Sequence, residues 1–304
     1  MIVGAYSSSI KETDVASGYL FSGSVSDLQS AFDITNLAFY GQFLYKLNES
    51  TSMLLNLRNE HHVIDYNGNS NNDGEPLHEV DVNLSNNHFG GKLSVISSIN
   101  THSTLFTSIS RGFKAGGVNQ NPYLLTDALY LPEYNINFES GIRYNSNTLS
   151  ADINLFYMMR TDQQVQMSSQ QEDSDVLSFN YITANAGSGS NYGAEISLTK
   201  QLLNYINVRS AMGLLSTHID EYSYEAEGGI VAMGNRNQAM APAYNYSTTI
   251  SYSHPIGFST SIELMGKGQY YYSESHNEQS KACNLINMET SYSKNSWTIS
   301  FWAK

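Results

Sequence analysis

FESGIRYNSNTLSADINLFYMMR, residues 138–160, decides how this chain is read. Phe138, Ser140, Ile142 and Tyr144 fall on one side of an extended segment; Glu139, Gly141 and Arg143 fall on the other. After a polar connection at 145–147 the pattern resumes, with Ala151, Ile153, Leu155 and Tyr157 against Asp152, Asn154 and Phe156. A period of two with one apolar side describes an antiparallel strand pair between an apolar and a polar environment. Tyr192, Ala194, Ile196 and Leu198 against Gly193, Glu195 and Ser197 repeat it, as does the row Tyr244, Tyr246, Thr248, Ile250 and Tyr252. Helical periodicity is scarce.

The connections carry more information than the strands. Short ones fall at 46–50, 100–103, 145–147, 200–204, 253–257 and 293–296. Long ones are expected at 61–88, 111–133, 161–188, 217–242 and 271–282. Short and long alternate, so antiparallel strands collect the short turns at one end and the long loops at the other. About thirteen strands result, and this loop sorting is that of an outer-membrane β-barrel. The fold class expected is therefore all-β: an antiparallel transmembrane barrel with short periplasmic turns and long extracellular loops. A soluble β-sandwich also alternates and also uses hairpins. Strict loop sorting weighs against it, as do aromatic residues near strand ends (Tyr144, Tyr157, Trp297, Phe301), where membrane barrels carry their girdles. No fixed repeat period supports a propeller or β-helix.

Composition agrees. No apolar run approaches the length of about eighteen residues that a membrane-spanning helix needs, yet strands of about ten alternating residues also span. The net charge of −13 disfavours nucleic acid as a partner. The single cysteine, Cys283, allows no internal disulfide. The opening MIVGAYSSSI has neither a basic start nor a long apolar core, so it is not a signal peptide and reads as a strand entered partway. The ending NSWTISFWAK stops in or just after a strand. Both ends lead us to expect an incomplete barrel.

The segment ISRGFKAGGVN, residues 109–119, invites a phosphate-loop reading. That loop needs its lysine after the second glycine and a helix behind it. Here Lys114 precedes Gly116 and Gly117, and NPYLLTDALYLPEY follows. The better reading is a strand ending near Arg111, with glycines bending the chain into a long loop.

The same segment, followed by LPEYNINFESGIRYN, resembles the YSRGFKAGGFN stretch of the TonB-dependent outer-membrane receptors. FYMMRTDQQV, NYGAEISL and GNRNQAMAPAYNYSTTISYS continue the resemblance in order. IVGAYSSS is similar to a mid-barrel strand of that family, and SWTISFWAK to its penultimate strand. The resemblance implies a barrel of about twenty-two strands with a plugged lumen. Residues 1–304 would be part of that barrel, without its signal peptide, TonB box or plug domain. It also implies import of a scarce nutrient, foremost a ferric siderophore, with energy from the TonB complex acting through the plug. Outer-membrane lipid and lipopolysaccharide would surround the barrel, the ferric chelate would be cargo rather than cofactor, and no catalytic site is implied.

In this frame Arg111, Gly112, Phe113, Lys114, Gly116, Gly117 and Asn119 form a family motif at the barrel rim. Arg111 and Lys114 are candidates for contact with an anionic chelate, and Tyr270, Tyr271 and Tyr272 for stacking on a catecholate or haem-like ligand. Interface tyrosines are the plainer reading of the last three. Glu139, Arg143, Asp152 and Glu195 are expected to face the lumen, since arginine in lipid costs about 2–4 kcal/mol near the midplane. Arg160 and Arg209 fall on or near strands, and Arg236 is expected to anchor its loop. His61 and His62 point to opposite faces, so no metal site is read there. His78 and His88, with Asp65, Asp73, Glu75, Glu79 and Asp81, read as solvated loop residues without EF-hand spacing. Glu172, Asp173 and Asp175 form a second acidic patch. The competing functions are a passive porin-like or adhesion barrel, and a soluble β-rich binding protein.

Overall fold

The computed structural model describes residues 1–20, 25–119, 128–170, 179–226 and 229–304. Its strands, in chain order, are β1 (Ile2–Leu20), β2 (Val25–Lys46), β3 (Thr51–Asn72), β4 (Glu75–Ser98), β5 (Ser103–Lys114), β6 (Gly117–Val118) and β7 (Leu129–Tyr130). There follow β8 (Glu133–Asn145), β9 (Leu149–Thr161), β10 (Gln164–Gln170), β11 (Phe179–Asn185), β12 (Ser188–Leu203) and β13 (Ile206–Ile219). The last are β14 (Tyr222–Ala226), β15 (Gly229–Met233), β16 (Tyr244–Ser253), β17 (Phe258–Lys267), β18 (Cys283–Lys294) and β19 (Trp297–Ala303). No helix occurs among the described residues.

Thirteen of these strands make one antiparallel meander, ordered β1-β2-β3-β4-β5-β8-β9-β12-β13-β16-β17-β18-β19. The others pair as three short ribbons, β6–β7, β10–β11 and β14–β15. All three sit in connections at the same end of the sheet. The count of about thirteen wall strands therefore holds, and from β4 onward so does the alternation of short turns with long excursions.

Residues directly opposite in an antiparallel ladder share a face, so the register assigns both faces. One row runs Gly141–Asn154–Glu195–Gly213–Asn245–Lys267–Cys283 across seven strands. The neighbouring position on the other face gives Ile142–Ile153–Ile196–Met212. Leu155, Ile250 and Ile262 stand on that second face with about half of each side chain exposed. A contiguous exposed apolar band across these strands belongs in hydrocarbon, not water. Its upper part carries an aromatic row, Phe138–Tyr157–Tyr192. Its lower part carries Tyr144, Tyr252, Phe258 and Tyr292.

The expectation of a long loop at 61–88 is corrected. Residues 61–72 continue β3 and 75–88 open β4, and only Asp73–Gly74 turns the chain. Both turn residues have positive φ, 49° and 85°, as a two-residue Asp-Gly hairpin requires. The physical reason lies in Val80, Val82 and Leu84 alternating with Glu79, Asp81 and Asn83. The first three pack against Ile64, Tyr66, Ile34 and Phe32 on the inner face. Lower on the same strands the apolar residues face outward: Leu55, Leu57, Leu93 and Val95. The apolar set thus changes face between Leu57 and His62 on β3, where lipid gives way to the hairpin's own core. A smaller correction concerns β5, which runs past Arg111 to pair Lys114 with Glu133.

The second buried cluster lies at the same end of the sheet. Val165, Met167, Ile182, Ala186, Ile219 and Tyr222 close over one another where β10, β11, β13 and β14 meet. The part of the molecule with a conventional apolar core is therefore the part outside the band.

Candidate functional site: the inner face and its rim

Three groups of polar side chains occupy the concave side. The first is at mid-height. Lys92 Nζ donates to Glu139 at 3.1 Å, which also accepts from Ser108 at 3.2 Å and from Asn137 at 2.9 Å. Arg143 Nε donates to Asp152 at 2.8 Å, and its guanidinium lies 5.1 Å from the Phe106 ring centre. Gly141 makes room for that ring, because a Cβ there would meet it at 2.5 Å. Lys92, Ser108, Glu139, Arg143, Asp152 and Glu195 line a cavity of about 690 Å³. Glu139, Arg143, Asp152 and Glu195 thus share one face and one cavity. Arg209 lies on that face too, opposite Thr199 and Thr249.

The second group ties the rim. Arg160 donates from Nε and Nη2 to Glu133 at 2.8 and 2.6 Å and from Nη1 to Gln238 at 3.2 Å. The other Glu133 oxygen accepts the Gln164 backbone N–H. Gln164 donates in turn to the carbonyls of Ala115 and Leu131. Gln238 donates to Asn191 and Gln163. One carboxylate and two amides so join segments spread from residue 115 to residue 238. Gly116 is required in this knot: a Cβ would come within 2.5 Å of the Tyr130 carbonyl oxygen and 3.1 Å of Pro132 N. Asn119 brackets Thr183, donating to its carbonyl at 2.7 Å and accepting its N–H at 2.8 Å. Gly112 lies against Asn135. Arg111 donates to the Phe89 carbonyl at 2.7 Å and covers Tyr134 at 4.7 Å. Lys114 is exposed at the end of β5.

A second knot joins residues 234–240 to the segment after β17. Arg236 donates to the carbonyls of His276 and Ser273 and to Asn277, and it stacks on Tyr271 at 4.1 Å. Glu274 accepts the Ala239 N–H at 2.7 Å. Tyr270 and Tyr272 meet edge-on at 5.8 Å, and Lys267 lies over the Tyr270 ring at 4.7 Å. The three tyrosines stand beyond β17, which ends at Lys267, and not on its last residues. Tyr272 lines a cavity of about 410 Å³ with Arg160, Gln238 and Glu274.

The third group is where the apolar residues change face. A cavity of about 740 Å³ is lined by Tyr40, Arg58, Glu60, Lys92, Arg111 and Phe113 among others. Arg58 pairs with Glu60. Beside it His88 is fully buried, stacked on Phe113 at 4.8 Å, with His62 at 6.2 Å between ring centres. Burial pushes the His62 pKa below its ordinary value; Glu60 opposes this and His61 adds to it. The sequence treated His62 and His88 as separate loop residues. The signal that joins them is the Asp73–Gly74 turn, which sets the register. Among the described residues no three His, Cys, Asp or Glu side chains converge as a metal site. Glu172, Asp173 and Asp175 lie outside the described residues.

A meander of membrane-length strands, apolar without and polar within, with interlocked excursions at one end, defines part of an outer-membrane barrel wall. Residues 4–304 match the family described as TonB dependent receptor-like, beta-barrel, and the chain belongs to that family. Its place is the outer membrane of a Gram-negative bacterium, and members of the family are transport proteins rather than enzymes. Among solved structures, it is similar to the ferric yersiniabactin uptake receptor FyuA from Yersinia pestis (TM-score 0.74, 16% identity), over 91% of this chain and 41% of that one. The siderophore receptor PiuA from Acinetobacter baumannii gives 0.67 at 12% identity, over 97% of this chain and 46% of that one. The copper transporter OprC gives 0.67 at 10% identity, over 90% and 46%. The chain thus spans less than half the length of these relatives, and at such identities the likeness shows the fold alone. No curated protein sequence matches it.

Proposed function

We propose that this sheet is part of the wall of an energised importer that binds a ferric siderophore or a similar metal chelate at its outer face and passes it inward with energy transmitted by TonB. The observation that carries the reading is the family match across residues 4–304. The third cavity gives the wall a polar recess beside the rim, where Arg58 and Lys92 are balanced by the carboxylates of Glu60 and Glu139. Glu139, Arg143, Asp152 and Glu195 then face the lumen and the plug, where a charged face stays hydrated or paired. The motif from Arg111 to Asn119 shapes the rim, consistent with the partners of Gly116 and Asn119. Tyr272, beside Gln238 and Glu274, is the tyrosine of the 270–272 group offered to a ligand, whereas Tyr271 is engaged by Arg236.

The test is uptake of radiolabelled ferric chelates by cells carrying the receptor that contains this sheet, with and without functional TonB. Saturable uptake that stops without TonB is the expected result. Uptake that persists without TonB, linear in concentration, would identify a passive barrel instead.

A further inference from the structure

His62 and His88 lie on the inner face of β3 and β4. Glu60 stands directly opposite His88, and His62 opposite Asn86, so the two imidazoles are diagonal neighbours across the ladder. Both are more than nine-tenths buried. Each commits Nδ1 to a neighbour, His62 to Asn36 Oδ1 and His88 to the Tyr134 hydroxyl at 3.3 Å. The amide oxygen of Asn36 only accepts, and its Nδ2 is turned to Ser8. His62 Nδ1 therefore carries the proton, which leaves a lone pair on Nε2. Nε2 of both rings is buried with no hydrogen-bond partner. Buried nitrogens left this way are rare in native structures and call for a physical explanation.

We propose that His62 and His88 bind one divalent transition-metal ion of the copper–nickel–zinc group through their two Nε2 atoms. Imidazole nitrogen suits these ions, whereas calcium and magnesium demand oxygen. An ion about 2.0–2.1 Å from each nitrogen sets the two ring centres on the order of 5–6 Å apart. The observed 6.2 Å is close to that spacing. Asn36 and Tyr134 fix the far sides of the rings, as the outer partners of metal-binding histidines do. Glu60 is held by Arg58 and is not counted as a ligand. The site stands independently of the import reading, because it is measured without transport.

Copper(II) alone, titrated into the detergent-extracted full-length protein and followed by electron paramagnetic resonance, tests this. One ion per chain with hyperfine structure from two imidazole nitrogens is expected. His62→Gln and His88→Gln should each weaken binding about tenfold or more. His61→Gln, altered on the opposite face, should leave it unchanged. A spectrum without imidazole nitrogens overturns the proposal, as does binding that His61→Gln removes and the other two retain. Should either inner-face variant fail to fold, the wild-type spectrum decides, since fewer than two nitrogens sinks it. Excess magnesium should not compete, and effective competition would likewise refute an imidazole site.

Discussion

Gly116 and Arg236 show how single residues hold the rim. No positive φ is involved at Gly116; the constraint is the Tyr130 carbonyl 2.5 Å from where a Cβ would stand. Gly116→Ala should therefore cost about 1–3 kcal/mol through overpacking, visible as earlier protease cleavage between β5 and β8. Arg236 uses a planar fork, with Nη1 and Nη2 reaching three acceptors while its face covers Tyr271. A lysine keeps the charge and loses the fork and the stacking. Arg236→Lys is expected to cost about 1.5–3 kcal/mol, the range for hydrogen bonds to charged groups, read as release of the 268–282 segment to limited proteolysis. Neither Glu133 nor Gln238 was singled out from sequence, and the reason is distance along the chain. Arg160 meets Gln238 across 78 positions, which no local spacing can announce. Arg236 was legible because its neighbours GNRNQAMAP resemble a family stretch.

At the scale of elements, strand facing makes a sharp prediction. Ile153 and Asn154 are adjacent, one in the apolar band and one in the polar row. Ile153→Arg should cost about 2–4 kcal/mol in the bilayer, while Asn154→Arg should be tolerated, as urea titration of the assembled protein would reveal. The wall strands were legible because alternation and short turns are local. The β3–β4 hairpin was not, because Asp73–Gly74 sits among Asn, Ser and charged residues that composition assigns to a loop. Its alternating Val80, Val82 and Leu84 were there to be read, displaced by one position from the alternation nearer the periplasmic turns. This hairpin should also respond to pH. The folded His62 pKa lies below its ordinary 6.5, so the unfolded chain binds the extra proton first. Stability is then complete above that ordinary value and declines as pH falls below it. His62→Gln should flatten that decline, measured by hydrogen exchange in 60–90.

As a whole, the molecule is a thirteen-stranded sheet whose outermost members, β1 and β19, are not paired with each other. Backbone groups along open edges cost several kcal/mol each in hydrocarbon. The 304-residue chain expressed by itself should therefore be extracted from membranes by urea and show no chelate uptake. Resistance to extraction, with uptake, would refute this. The reversal of apolar facing on β3 and β4 also has a meaning for life outside the cell. Above it the hairpin reaches roughly 35 Å further along the strand, at about 3.4 Å per residue, to the Asp73–Gly74 tip. Its inner side is committed to packing, whereas Asp65, Asn67, Glu79, Asp81 and Asn83 are exposed on the outer side, with Asp33 and Ala31 of β2 opposite the first two. An antibody or phage that grips this projection reads the uncommitted side. Substitutions at those exposed positions should leave the hairpin's packing intact, because its apolar contacts all lie on the inner side.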